Sequence, residues 1–212
     1  RVSVPYVLPG LLAILVLVVV PVVVGAAMSL FVYERGEFTY AGLSNFADIL
    51  LPPLERAFEA RSFYFALAVT VLWTAVNVVL HVTLGVGLAL LLRPSYVRFR
   101  TPFRLLFILP WAIPNYITAL VWKGMFHAQV GAINKLLAPF GFEGFNWFDQ
   151  FGTAFFANVV TNTWLGFPFM MVVTMGALSS IPPELEEAAT LDGASRWLKF
   201  RTIVLPHIRP AL

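Results

Sequence analysis

The sequence predicts an all-α polytopic membrane protein, folded as a bundle of kinked transmembrane helices. Of its 212 residues, 59% are hydrophobic and 12% are charged, whereas an average soluble domain has roughly 45–50% and about 25%. Apolar stretches of the roughly 20 residues needed to cross a bilayer recur along the chain. Prolines interrupt these stretches and predict kinks or local breaks; they are Pro21, Pro110, Pro114 and Pro168.

Four spans are predicted, over residues 6–31, 63–92, 105–122 and 154–179, each bounded by charged residues. In lipid, backbone polar groups must find partners within their own segment, so the spans are predicted to be helices. The first stretch exceeds the roughly 7–15 apolar residues of a signal peptide core, which predicts a retained span. The loop over 33–62 is predicted to hold at most a short interfacial helix. In the later outer loop, Trp147 and Phe148 are interpreted as headgroup anchors, with a direct substrate role as the alternative.

The loops alternate in their content of Lys and Arg, which predicts the orientation of the chain. The loops on one side contain nine basic residues: Arg1, Arg93, Arg98, Arg100, Arg104, Arg196, Lys199, Arg201 and Arg209. The other side has five, beside seven acidic residues: Arg35, Arg56, Arg61, Lys123 and Lys135, with Glu34, Glu37, Asp48, Glu55, Glu59, Glu143 and Asp149. Because basic loops stay inside, the first side and the N-terminus are predicted to be cytoplasmic.

The composition argues against several classes of function. The chain has no cysteine and only three histidines, so neither a thiolate nucleophile nor a metal site is expected. Its basic residues lie between apolar runs and form no continuous face, so nucleic acid is not an expected partner. A phosphate-binding loop needs Gly before Lys, but the three lysines follow Trp122, Asn134 and Leu198. We therefore predict no ATP site and no catalytic residue in this chain.

Asn77 and His81 lie one helical turn apart in the second predicted span and share a face. Polar side chains within a span bind a neighbouring helix or act in transport. Both interpretations stay open at this point: hydrogen bonding between helices, or a proton relay of the kind that secondary transporters use.

The segment over 181–210 is charged and amphipathic, unlike the spans. Its first predicted helix opens at Pro183, carries an apolar face of Leu185, Ala188 and Ala189, and ends at Gly193. The second begins at a capping residue, Ser195, and stops where Pro206 interrupts it. The two helices form an elbow, for which the alternative interpretation is a loop lying flat on lipid headgroups.

The sequence of this elbow, EEAATLDGASRWLKFRTIVLPHIRP, resembles the cytoplasmic signature of ABC importer permeases, EAAxxDGAxxxxxFxxIxLPxxxP. Eleven fixed positions match: Glu187, Ala188, Ala189, Asp192, Gly193, Ala194, Phe200, Ile203, Leu205, Pro206 and Pro210. The stretches LLFILPWAIPNYITALVWKGMF, GAINKLL and NTWLGFPFMMVVTMGALSS are similar to the carbohydrate uptake branch of that family, above all to the larger membrane subunit of maltose/maltodextrin transporters. The likeness runs from about Tyr40 to the end.

This resemblance implies two sets of site residues. It implies that the elbow is the cytoplasmic coupling helix, which docks on an ATP-binding subunit through Glu187, Ala188, Ala189, Asp192, Gly193 and Ala194. It implies sugar contacts at Asn162, Trp164, Gly166 and Phe169 within the fourth span; the family has Tyr at the last position, so one hydroxyl contact is missing here. It implies that this chain holds no cofactor or metal, and that ATP and Mg bind to the partner ATPase.

The resemblance also implies the assembly. Expected partners are a dimer of ATP-binding ABC subunits, a second permease subunit, an extracytoplasmic sugar-binding protein, the sugar and membrane lipid. The expected location is the cytoplasmic (inner) membrane of a bacterium or archaeon. A new apolar run begins after Pro210, so we expect further spans beyond Leu212. The alternatives are a permease for another solute such as glycerol phosphate, a membrane-embedded enzyme, or a secondary transporter.

Overall fold

The computed structural model describes residues 4–60, 62–93, 98–141 and 144–212. Three residues of the charge count, Arg1, Arg61 and Glu143, lie outside the described residues. The chain divides into two compact units, Arg1–Val71 and Leu72–Leu212.

The first unit begins with a long apolar helical segment, formed by α1 (Val4–Ile14), a π-helical turn (Leu15–Val19) and α2 (Val20–Met28). The π turn comes directly before Pro21, whose ring would strike a carbonyl of a regular α-helix and which has no N–H to donate. In the wider turn the N–H of Val20 donates to the carbonyl of Leu15, five residues back. The predicted kink at this proline is therefore a π turn within a continuing helix.

A β-hairpin follows, of strands β1 (Phe31–Glu34) and β2 (Glu37–Tyr40), then helix α3 (Ser44–Leu50). The two turn residues have positive φ, 51° at Arg35 and 89° at Gly36, as the favoured two-residue hairpin turns require. Aromatic rings pair across the strands, with centroids 5.4 Å apart for one pair and 4.8 Å for the other. This hairpin was not predicted, because strands of four residues without a consistent alternating pattern are a weak signal beside a long span.

Helix α4 (Phe63–Leu91) extends into the second unit, which also contains α5 (Arg100–Ala112), α6 (Asn115–Met125), α7 (Ala132–Leu137) and α8 (Phe151–Ser179). The region predicted as one span over 105–122 is two helices, α5 and α6, bent by 95°. Pro114 explains the break, since a residue before proline is forced into extended backbone and Ile113 has ψ 136°.

Among the described residues, three helical segments are long and apolar enough to cross a membrane: Tyr6–Met28, Phe63–Leu91 and Phe151–Ser179. The bent pair α5–α6 makes a fourth if it counts as one broken span. The chain is therefore predominantly helical and polytopic in character, as the sequence predicts.

Helices α4 and α8 contact each other closely within the second unit. A Cβ on Gly85 of α4 would lie 2.8 Å from the backbone nitrogen of Met171, and small residues of this kind allow such close approach in membranes. Asn77 contacts Asn162, and His81 contacts Gly166. Because residue numbers rise together on both helices, α4 and α8 run parallel, so both end on the same side.

The last part of the chain returns to these ends. It consists of α9 (Pro183–Leu191), α10 (Arg196–Lys199), a π turn (Phe200–Val204) and α11 (Leu205–Ile208), followed by a 3₁₀ turn (Arg209–Ala211). A buried apolar cluster joins it to the spans: Ala89, Leu92, Met171, Leu178, Ile181, Val204 and Ile208, with Phe107 packed against them.

Candidate functional site

The first arm of the elbow is helix α9, and its two ends follow the predicted pattern. Pro183 occupies the first turn, together with Glu184 and Glu186, where carboxylates favour the positive end of the helix dipole. At the other end Gly193 has φ +75°. Its N–H donates to the carbonyl of Thr190 at 3.1 Å, and the N–H of Ala194 donates to that of Ala189 at 2.9 Å. These two bonds form a Schellman motif, which fixes where the helix stops.

The second arm begins as predicted but does not end as predicted. The Ser195 hydroxyl accepts a hydrogen bond from the N–H of Leu198 at 3.2 Å, which confirms the N-cap. The predicted stop at Pro206 is wrong, since the helix continues to Ile208. A π turn again precedes the proline, with the N–H of Leu205 donating to the carbonyl of Phe200. The wider turn accommodates the ring, so the arm reaches the apolar cluster as one continuous element.

The predicted coupling residues lie on the outside of this elbow. Glu187, Ala188, Asp192 and Gly193 are exposed, while Ala189 and Ala194 are half-buried. The predicted apolar face of α9 is also open, because Leu185 is exposed. Beside these residues Leu191 is 90% and Trp197 is 68% exposed. Large apolar side chains grouped with small residues and carboxylates are typical of a protein-binding surface.

Polar contacts hold the elbow in position on the spans. The guanidinium of Arg93, just after α4, lies 2.6 Å from the carboxylate of Glu186 on α9. Lys199 donates to the hydroxyl of Thr190 at 3.2 Å and so connects the two arms. Arg104 of α5 donates to the carbonyl of Leu92 at 2.8 Å, which satisfies a free carbonyl at the end of α4. These contacts were not predicted, since Arg93 and Glu186 are far apart along the chain.

Two of the four predicted sugar-contact residues pack against α4. Asn162 donates from its amide to the Asn77 side-chain oxygen at 2.8 Å, and its backbone oxygen lies 3.0 Å from Nε2 of His81. A Cβ on Gly166 would overlap the His81 ring. We call Asn77, His81 and Asn162 the polar clamp. Of the two interpretations of Asn77 and His81, the geometry favours hydrogen bonding between helices.

The other two predicted residues lie elsewhere on α8. Trp164 is 44% exposed and borders an apolar cavity of about 500 Å³ with Trp122 and Leu84. Phe169 is half exposed, and its ring centroid is 6.1 Å from that of Trp111 on α5. The structure therefore brings Asn162 and Gly166 together against α4, whereas Trp164 borders an apolar cavity and Phe169, one turn after Gly166, contacts α5.

The loop between α6 and α8 has a hydrogen-bonded centre. Asn134 is 5% exposed, and its amide donates to the carbonyls of Ala128 and Phe145, each at 2.8 Å. Its oxygen accepts from the indole of Trp147 at 2.8 Å. Trp147 thus has a partner within the loop, a contact that neither the headgroup nor the substrate interpretation included. Asn134 belongs to the stretch GAINKLL, and the family resemblance of that stretch was the sequence signal that could have identified this residue.

Comparisons with known proteins agree with this geometry. The family model described as the binding-protein-dependent transport system inner membrane component matches residues 81–212. The galactooligosaccharides transport system permease protein GanP of Bacillus subtilis (strain 168) is 36% identical over 213 residues, which cover 96% of this chain and 50% of that protein. The trehalose/maltose transport system permease protein MalF of Thermococcus litoralis is 34% identical, and the alignment covers 97% of this chain and 68% of that protein.

A solved structure has the same fold. It is that of a bacterial ABC transporter involved in the import of the acidic polysaccharide alginate, with a TM-score of 0.79 and 23% identity, covering 97% of this chain and 67% of that one. The chain spans about half the length of GanP and about two thirds of the length of the Thermococcus protein. Because the family model covers most of the second unit, elbow included, the chain belongs to the family of binding-protein-dependent transport system inner membrane components.

Proposed function

We propose that this chain is the transmembrane permease subunit of an ATP-driven, binding-protein-dependent sugar importer, and that its elbow receives the movement of an ATPase. One observation carries the proposal. The outer surface of the elbow is exposed at Glu187, Asp192 and Gly193, while its inner surface is built into the core of α4 and α8. An element with one free surface and one fixed surface is suited to pass a force from a partner to the spans.

The fixed surface is tightly packed. Ile208 of α11 and Met171 of α8 are both 0% exposed, and Val204 is 5% exposed. Packed interiors do not deform continuously, so a push on the elbow moves the inner ends of the spans as a body. The ion pair between Arg93 and Glu186 adds a second connection, to the end of α4.

The free surface fits a protein partner. A Cβ added to Gly193 would meet nothing within 4 Å, so a partner backbone has room to approach the turn. Carboxylates at Glu187 and Asp192 are available for basic groups of that partner. We propose a dimer of ATP-binding subunits here, which bind ATP and Mg, while this chain has no catalytic role.

The relatives support the remaining parts of the assembly. Their names specify galactooligosaccharides, and trehalose or maltose, so the proposed substrate is a sugar. The alginate transporter has been solved with a periplasmic protein carrying an alginate pentasaccharide, which supports an extracytoplasmic sugar-binding protein as a partner. A second permease subunit completes the proposed pathway. Lys and Arg are in excess in the loops on the side of the elbow and the N-terminus, which supports a cytoplasmic location for both.

Reconstitution tests the proposal. The full-length protein is assembled with its ATP-binding, permease and receptor partners in liposomes, and ATP hydrolysis is measured with trehalose, maltose, maltodextrins, galactooligosaccharides and glycerol phosphate in turn. We expect at least one sugar to stimulate hydrolysis and to enter the liposomes only when ATP is present. Sugar movement without an ATPase, or stimulation by glycerol phosphate alone, would contradict the proposal.

A further inference from the structure

An open cavity of about 480 Å³ lies between α6 and α8, on the part of α8 nearer its N-terminus. We propose that it is an outer carbohydrate subsite, separate from the four residues already assigned to sugar contact. Its polar lining is Tyr116, Lys123, Asn158 and Thr161, and its aromatic lining includes Phe126 and Phe148. This inference rests on the proposed function and extends it to a second binding position for a longer sugar.

The presence of polar side chains within a membrane-spanning helix requires a structural or functional explanation. Asn158 and Thr161 belong to a helix of 29 residues that is long and apolar enough to span a membrane, where polar groups face another helix or a water-filled path. Asn162, one residue further, faces α4. Asn158 and Thr161 line the cavity instead, and Asn158 is exposed. Their position therefore favours a path for a polar solute over a contact between helices.

The hydrogen-bonding groups of the cavity are complementary to sugar hydroxyls. The amide of Asn158 donates to the carbonyl of Ala154 at 2.8 Å, and the hydroxyl of Thr161 donates to that of Ala157 at 2.8 Å. Thr161 has thus used its one donor and Asn158 one of its two, while the side-chain oxygens of both residues retain lone pairs as acceptors. Tyr116 and Lys123 contribute donors from α6 and have no hydrogen bond or ion pair within the described part of the chain. A sugar hydroxyl both donates and accepts, so it matches this mixed set.

The apolar wall of the cavity is held rigid by the loop beside it. Phe126 is 2% exposed, and its ring contacts Trp147 and Phe148, with centroids 5.2 and 6.4 Å away. Trp147 is in turn bonded to Asn134. Phe148 is 45% exposed, so its ring is the surface that can meet the C–H face of a pyranose, while the buried Phe126 supports it from behind. The cavity volume also falls within the roughly 300–1,000 Å³ of ordinary small-molecule sites.

The subsite has a definite place along the path. Phe169, a predicted sugar-contact residue that α4 leaves exposed, lies eight residues after Thr161 and eleven after Asn158, about 12 and 16 Å along a helix that rises about 1.5 Å per residue. A short sugar at the Phe169 level would not reach the cavity, whereas an oligosaccharide extending toward the start of α8 would. The cavity is thus expected to increase affinity for longer substrates and to leave the shortest one unaffected.

The test compares two threonines with the same local bonding. Thr161→Val removes a lone-pair acceptor from the cavity while keeping the shape of the side chain. Thr70→Val, on α4, is the matched control, since its hydroxyl also donates one turn back, to Ala66 at 2.7 Å. Asn158→Leu removes the second acceptor. Each full-length variant is reconstituted with its partners, and KM and kcat are measured for maltose and for maltotetraose, or for the corresponding pair of galactooligosaccharides.

We expect Thr161→Val and Asn158→Leu each to raise the KM for the longer sugar about tenfold, the loss of one good hydrogen bond. KM for the shorter sugar and kcat for both should stay within a factor of two of the Thr70→Val control. If KM changes equally for both lengths, or for neither, the subsite is overturned while the importer function stands. If wild-type protein responds to no sugar at all, the proposed function and the subsite fall together.

Discussion

Two glycines of the second unit, Gly193 in the elbow and Gly166 in α8, are required for opposite physical reasons. Gly193 has φ +75° and open space around it, so its role is conformational and its surface is available to a partner. Gly166 has ordinary helical backbone, but the His81 ring occupies the space where its Cβ would be. The elbow is thus shaped by its backbone and open on the outside, whereas the α4–α8 contact is shaped by packing and closed.

The comparison predicts its largest effect at Gly193. Gly193→Trp should abolish sugar-stimulated ATP hydrolysis and uptake in the reconstituted complex, because the new ring projects where we place the ATPase. Folding should change little beyond the strain of a left-handed residue, about 1–2 kcal/mol. The matched control is Gly141→Trp in the loop between α6 and α8, with φ +86° and no atom within 4 Å. Normal transport by Gly193→Trp would show that the elbow is not the point of contact with the ATPase.

The second effect is at Gly166 and concerns stability. Gly166→Ala should lower the free energy of unfolding by about 1–3 kcal/mol, the usual result of adding an atom to a filled contact. Thermal unfolding of the purified protein in detergent measures the change. Gly176→Ala on the same helix is the control, since its Cβ would meet nothing within 4 Å and alanine favours a helix.

A double-mutant cycle sharpens that result. His81→Ala should relieve the clash, so His81→Ala with Gly166→Ala should be more stable than the sum of the single changes predicts. Additive effects would show that the two residues do not contact each other, and the polar clamp would then need another explanation.

The third effect tests the elbow's own architecture. Ser195→Ala removes the N-cap of α10 and should destabilise the second arm by about 1 kcal/mol. Hydrogen exchange of amides in 196–200 should then speed up, while amides of α8 keep their rates. Ser179→Ala is the control, because that hydroxyl donates within its own helix to the carbonyl of Met175 and caps nothing. Equal exchange in both variants would contradict the cap.

The smallest effect is expected from the ion pair between Arg93 and Glu186. Both side chains are about 30% exposed, so the pair should contribute about 0.5–1 kcal/mol. Arg93→Glu or Glu186→Arg should weaken the response of ATP hydrolysis to sugar, and the charge-swapped double variant should restore part of it. Glu184→Arg, on an exposed neighbour of the same helix, is the control. No recovery in the double variant would show that the pair does not connect α4 to the elbow.

Local patterns predicted the parts of this protein that depend on neighbouring residues. Apolar length located the first, second and fourth long helices, Gly193 located the end of the first arm, and Ser195 located the start of the second. Proline did not specify the form of a distortion, or whether one occurs. The helices continue through Pro21 and Pro206 by π turns and the chain breaks at Pro114, whereas the kinks predicted at Pro110 and Pro168 fall inside the continuous α-helices α5 and α8. The difference depends on whether the surrounding turn can widen or the preceding residue is extended, which the identity of one residue does not specify.

The predicted sugar-contact residues show more clearly how local sequence differs from tertiary packing in what it specifies. The sequence placed Asn162, Trp164, Gly166 and Phe169 on one helix, but it did not reveal which neighbour each would meet. Asn162 bonds a residue 85 positions away, whereas Asn158, one turn earlier, donates to the carbonyl of Ala154 on its own helix. The sequence by itself determined the three long apolar helices, the Gly193 and Ser195 caps of the elbow and the family signature, since these follow from hydropathy and local backbone hydrogen bonds. Only the tertiary structure decided which face of α8 is filled by α4 and which remains open, because that depends on packing between segments far apart in the chain.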